Sequence, residues 1–145
     1  MQVFEWDGNR KNLLPLLWVF LTVNYIYCDV FILHDARYLE AFLVGEVGNM
    51  KITEGFLLMF AVVMQVPMIM IVLSKILTFK LNKYTNILAG VITTSVQTFT
   101  VSMGGASYFK FFSLFEISTG LIIIVLAATW KQETVNAAVG SSRSD

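Results

Sequence analysis

"GFLLMFAVVMQVPMIMIVLSKIL", residues 55–77, decides the fold class. It is apolar over about the 20 residues that an α-helix needs to cross a hydrocarbon core. Three further runs match it in length and character: Leu13 to Leu33, Thr85 to Met103 and Tyr108 to Trp130. Backbone inside a bilayer has no water to bond, so it must satisfy its own N–H and C=O groups, and helices do this. The expectation is an all-α, integral membrane four-helix bundle in one domain, residues 1–131, with spans at about 13–33, 55–77, 85–103 and 108–130.

Composition agrees. Of 145 residues, 57% are hydrophobic and 14% charged, against about a quarter charged in soluble domains. Formal net charge is zero, so no global field draws in nucleic acid. A single cysteine, Cys28, leaves no intrachain disulfide and no CxxC. With His34 the one histidine, a zinc site of three or four ligands is not expected. Pro15 falls in the first turn of its helix, where a missing N–H costs little, whereas Pro67 falls mid-helix and is expected to kink it.

Arg10 and Lys11 before the first run suggest a signal peptide, but the run is long for one and no A-x-A site follows. It reads as a retained span. With four spans, one side carries Arg10, Lys11, Lys75, Lys80, Lys83, Lys131 and Arg143, and the other Arg37, Lys51 and Lys110. Seven against three puts both termini in the cytoplasm. The polar tail, residues 132–145, reads as disordered. In the longest loop, Asp35 is a candidate N-cap, Leu39, Phe42 and Leu43 share a helical face, and Gly45 can end the turn. A short amphipathic helix on the outer surface fits.

Ionisable groups in a bilayer cost roughly 2.5–3.5 kcal/mol at a helix centre, so they should face the interior or water. At 100° per residue, Trp18, Thr22, Tyr25 and Asp29 share a stripe about 60° wide. Glu54, Ala61 and Gln65 align on the second run, and Asn86, Gly90, Thr93 and Gln97 on the third. On the fourth, Phe109, Phe112, Glu116 and Gly120 share a face flanked by Ser113 and Thr119. Counted along helices, Asp29, Gln97 and Glu116 fall roughly 6–12 Å below the outer edge. Glu54 is at that edge, and Gln65 and Asn24 are near the middle. Asp29 and Glu116 are acids with no Lys or Arg at their depth. A shared proton, a bound cation or a hydrogen bond to Tyr25 or Gln97 would resolve this. Cys28 lies off the polar stripe and reads as packing.

The stretches "LWVFLTVNYIYCDVFIL", "ITEGFLLMFAVVMQVPMIMIVLSKIL", "LNKYTNILAGVI" and "FFSLFEISTGLIIIVLAATW" resemble a family of small bacterial membrane proteins with four predicted spans and no known activity. That family is loosely grouped with DoxX-like proteins. The resemblance runs from about Leu17 to Lys131. It implies a tyrosine-rich end to the first helix with an aspartate (here Tyr25, Tyr27 and Asp29) and a mid-span glutamate in the fourth (Glu116). The chain departs from the pattern where Gln65-Val66 replaces a Glu-Ile pair before Pro67. It departs again where Lys75 and Lys83 stand for arginines after Ser74 and Asn82. The resemblance implies a bacterial inner membrane and adds no activity.

Four functions fit these residues. The first is binding of a lipid, a quinone or another apolar or amphiphilic small molecule in a polar-lined pocket in the outer half. Its candidate ligand or proton sites are Asp29, Glu116, Gln97, Tyr25, Gln65 and Glu54. The second is a small proton-coupled exporter acting as a homodimer, in which one membrane carboxylate exchanges proton for substrate. The third is a structural or accessory subunit, packed through Gly90 and Gly120. The fourth is an enzyme using the two carboxylates for acid–base work. It is the least favoured, because metal motifs, an intramembrane Ser-His pair and phosphate-cradling glycines are missing. No cofactor is expected beyond a quinone or lipid held as ligand, and the bilayer is the expected partner.

Overall fold

The computed structural model describes residues 10–47 and 50–131, so the expected disordered tail lies outside the described residues. Among the described residues the chain is helical except for one minimal hairpin. The elements are α1 (Arg10–His34), α2 (Ala36–Leu43), β1 (Glu46–Val47), β2 (Met50–Lys51), α3 (Glu54–Ile76), α4 (Phe79–Ser102) and α5 (Ser107–Ala128). The strands β1 and β2 pair antiparallel over two residues each. Helices α1, α3 and α5 are long and apolar enough to cross a membrane, consistent with a membrane protein.

Local chemistry sets the helix boundaries. Asp35 caps α2, its side chain accepting from the Arg37 backbone N–H, and Gly45 follows the helix at φ 77°. The expected short helix after His34 is therefore present. Thr53 caps α3 by accepting from the Phe56 N–H at 3.2 Å. The turn into α5 uses Gly104 and Gly105 at φ 104° and 145°, in the region that a Cβ disfavours. Helix α3 continues through Pro67 without a break.

The largest departure from the expected boundaries is at the start of α4. Helix α4 begins at Phe79, not Thr85, and only Leu77 and Thr78 separate it from α3. The end of an apolar run marks a change in surrounding medium, which need not end a helix. Here the Asn82 backbone N–H reaches Thr78 O at 2.8 Å. Its side chain also donates to Ser74 O at 2.7 Å, tying the first turn of α4 to the last of α3. Lys80 and Lys83 are therefore helical residues. Asn86, Gln97 and the threonines and serines along its length make α4 more polar than the other long helices, so α4 does not qualify as a span on apolarity.

The four long helices touch in a ring, α1 with α3, α3 with α4, α4 with α5, and α5 with α1. Leu14, Trp18, Leu21, Met70, Ala89 and Ile123 form the apolar centre. The pair α4 and α5 approaches most closely where two glycines meet. A Cβ on Gly90 would lie 2.8 Å from Ile124 Cγ1 and 3.6 Å from Gly120 O, and one on Gly120 would collide with Thr94 Oγ1. At one end of the ring, carbonyls at and just beyond the C-terminus of α5 meet cations. Arg10 donates to Leu126 O at 3.1 Å and to Thr129 Oγ1 at 3.0 Å, and Lys83 donates to Trp130 O at 3.0 Å. Positive charge there also opposes the negative end of the helix dipole. Lys75 donates to the Asn12 side chain nearby.

Candidate functional site

Two polar layers interrupt the apolar interior. The layer nearer the chain termini is fully satisfied. Trp18 Nε1 donates to Asn86 Oδ1 at 2.7 Å, crossing from α1 to α4, the helix diagonal to it in the ring. Ser74 Oγ donates to the same oxygen at 3.1 Å. The Asn86 amide donates to Asn82 O at 2.8 Å and Asn82 Oδ1 at 2.6 Å. All four residues are buried to 0% exposure, and each polar group has found the partner that burial demands. This layer welds α1, α3 and α4 together and has no free group for a ligand. Sequence reasoning missed it as a unit. The signals were the Ser74 and Asn82/Asn86 positions of the family resemblance and the alignment of Asn86 with Gly90 and Thr93.

The second layer is different. Glu116, on α5, is 1% exposed, and among the described residues neither of its carboxylate oxygens has a hydrogen-bond partner. Its neighbours on α5 are polar or small: Ser113, Thr119 and Gly120 are all buried. Across the interface, Gln97 Nε2 donates to Ser113 Oγ at 2.8 Å, and Ser113 in turn donates to Phe109 O at 2.8 Å. On α1, which packs against α5, Cys28 is buried and Tyr25 half-buried. A small cavity of about 20 Å³ opens beside this layer, lined by Tyr25, Val63, Met64, Pro67, Thr93, Val96 and Gln97. That is room for about one water. Pro67 has no N–H, so the Val63 carbonyl, one turn back, lacks its helical donor.

The candidates from sequence separate on this geometry. Glu116 and Gln97 are buried in the layer, Tyr25 is half-buried, and Tyr25 and Gln97 both line the cavity. Asp29 is exposed, and the inward position on that turn belongs to Cys28, at 4% exposure. The inward stripe of α1 runs through Leu14, Trp18, Leu21 and Cys28, so the stripe drawn through Asp29 is corrected by one residue. Glu54, Ala61 and Gln65 are all exposed. The inward face of α3 is Pro67, Met70 and Ser74, and the alignment of Glu54 with Gln65 described its outer face. On α4 and α5 the polar faces point inward as their phase required: Asn86, Gly90, Thr93 and Gln97, then Glu116 and Gly120.

Outside these layers, Asp35 accepts from Arg37 Nη2 at 2.8 Å and Nε at 3.0 Å, and from the Tyr108 hydroxyl at 3.2 Å. The Arg37 guanidinium holds the Asp35 carboxyl down at about 2. This cluster ties α2 to α1 and to the start of α5. Among the described residues no three His, Cys, Asp or Glu side chains come together as a metal site would require.

No curated protein and no solved structure matches the chain. A family model does match, over residues 1–137. The chain belongs to that family, DUF6326, a family of unknown function.

Proposed function

We propose that the chain is a four-span membrane protein with both termini in the cytoplasm, which binds an apolar or amphiphilic small molecule in the outer half of its bundle. Helix α4 is the span in question, and the direction of its polar residues supports it. Asn82, Asn86, Thr93 and Gln97 are buried, while Leu81, Leu88, Val91, Ile92, Val96 and Phe99 are exposed. Its outward surface is thus mainly apolar although its sequence is mixed, and the exposed Thr98 and Thr100 bond their own backbone, as suits a helix whose outside is lipid. The excess of Lys and Arg at the termini and the α3–α4 turn supports the orientation. The sequence resemblance supports a bacterial inner membrane and DoxX-like proteins as wider kin.

The observation that carries the binding reading is Glu116. A buried carboxyl without a partner is costly, and a ligand that hydrogen-bonds it or neutralises it would remove that cost. Tyr25 and Gln97 offer polar contacts at the neighbouring cavity, and Val63, Met64 and Val96 offer apolar ones. The cavity is lined by α3 and α4 with Tyr25 of α1, so a ligand that enters sideways from the lipid parts α3 and α4 and reaches Glu116 beyond Gln97. A cationic amphiphile would pair with the carboxylate, and a quinone would accept a hydrogen bond from the carboxylic acid. The same buried carboxyl supports a second reading, in which it exchanges a proton for an exported cation.

Titration of the protein in lipid nanodiscs with tetraphenylphosphonium and with a short-chain ubiquinone tests the reading. Saturable binding of at least one probe is expected, weakened about tenfold, or about 1.4 kcal/mol, by Glu116→Gln and unchanged by Asn24→Ala. Absence of saturable binding by both probes, or equal binding by Glu116→Gln, overturns it. A proton gradient that drives uptake of the phosphonium into liposomes would select the exporter reading.

A further inference from the structure

Gln65 is the central residue of α3, which has 23 residues. It lies about 16 Å along the axis from either end, too far for its side chain to reach water. It is nevertheless exposed, among Leu58, Val62, Met68, Ile69 and Val72, all exposed as well. Several other polar side chains on the outer surfaces of the long helices return their protons to their own backbone. Ser118 donates to Leu114 O at 2.6 Å, Thr98 to Thr94 O at 2.7 Å, and Asn24 to Phe20 O at 3.3 Å. Gln65 makes no such bond to any described residue, whereas Thr53 before it and Ser74 after it do bond.

We propose that the α3 face centred on Gln65 is the interface with a second copy of this chain, with the two Gln65 carboxamides bonded to each other across a two-fold axis normal to the membrane. The inference rests on the membrane-crossing reading and is independent of any ligand. A carboxamide carries both donor and acceptor, so it is its own complement. A two-fold axis along the membrane normal brings each residue opposite itself at the same depth, which supplies Gln65 with a partner in the one place lipid cannot. Ala61, one turn earlier on the same exposed face, is small enough to let the two α3 helices approach. The face is also free. The first half of α3, from Glu54 to Val66, contains no fully buried residue, and the helix packs within the chain on its opposite side, through Val66, Pro67, Met70, Ile71, Leu73 and Ser74. The exposed face of α1 is a poorer candidate, because the same axis there would set two Asp29 carboxylates against each other.

Cysteine cross-linking in intact membranes tests this in a Cys28→Ala background. Ala61→Cys and Met68→Cys are expected to give a dimer on oxidation, and Val23→Cys on α1 and Leu121→Cys on α5 to give little. In liposomes, the dimer population, counted by single-molecule photobleaching across protein-to-lipid ratios, should shift about three- to tenfold toward monomer in Gln65→Leu and return in Gln65→Asn. Leucine at this position suits the lipid, so the variant folds. Equal cross-linking at all four sites, monomers at every ratio, cross-links to a different protein, or an unchanged population in Gln65→Leu overturns the proposal. A water-soluble maleimide separates the premise from the inference. Labelling of Gln65→Cys in the membrane overturns the proposal by removing the span itself, and absence of labelling leaves the dimer experiment to decide.

Discussion

Replacing Asn86 by alanine removes the acceptor of both Trp18 Nε1 and Ser74 Oγ, and the donor to Asn82 Oδ1. The three losses are unequal. The Ser74 hydroxyl can turn to its own helix's carbonyl one turn back, as Thr93 already does, so its loss is small. The Trp18 indole N–H has no such exit at 0% exposure, and a buried donor left bare costs about 1–3 kcal/mol. The stranded Asn82 oxygen and the space vacated by the carboxamide add to this, for about 2–4 kcal/mol in all. The opposing consideration is that hydrogen bonds between membrane helices average only about 0.6 kcal/mol, since the unfolded chain in lipid also finds partners. The Asn86 network is dry and shared by three helices, so the larger figure should win. Reversible unfolding in mixed micelles with increasing SDS measures it, and a double-mutant cycle with Trp18→Phe isolates the indole–amide bond, expected at about 1 kcal/mol. A loss below about 0.6 kcal/mol in Asn86→Ala, or no coupling to Trp18, would refute the claim that this layer holds the helices together.

Two more predictions concern packing and charge. Gly120→Ala drives a Cβ into the Thr94 side chain and should destabilise by about 1–3 kcal/mol. Gly90→Ala makes a milder clash, with Ile124 Cγ1 at 2.8 Å and the remaining neighbours at ordinary contact distance, and should cost less; the reverse order in SDS unfolding would contradict the packing described. Asp35 has its carboxyl held down at about 2 by Arg37, so whatever stability this link contributes is complete above the ordinary carboxylate range and is lost as pH falls toward 2. A carboxyl NMR titration should find Asp35 well below 3.9, returning upward in Arg37→Gln, and less so in Tyr108→Phe.

The residues explain which parts of this protein could be read without a structure. Helix α5 was legible because Ser113, Glu116, Thr119 and Gly120 break an otherwise aliphatic and aromatic run, and mid-helix polar groups in lipid have strong reason to turn inward. The α4 face was legible for the same reason. The α1 phase went one residue astray because Asp29 lies near the helix end, where a carboxylate can reach water from an outward position. The small, apolar-seeming Cys28 held the inward place. Gln65 misled because a polar residue was assumed to seek its own chain's interior, when the inward positions of α3 are Pro67, Met70 and Ser74. The Trp18–Asn86 bond spans 68 residues and joins helices that are diagonal in the ring, so no local pattern announces it. The start of α4 was hidden because its first turns are polar yet helical.

The central claim is that Glu116 is buried without a partner because a ligand completes it. Native mass spectrometry of protein released from its own membrane into mild detergent tests this most directly. The account predicts a retained small molecule on the wild-type chain that is absent, or much reduced, on Glu116→Gln purified in the same way. Bare wild-type protein, or the same adduct in equal amount on both, would contradict it.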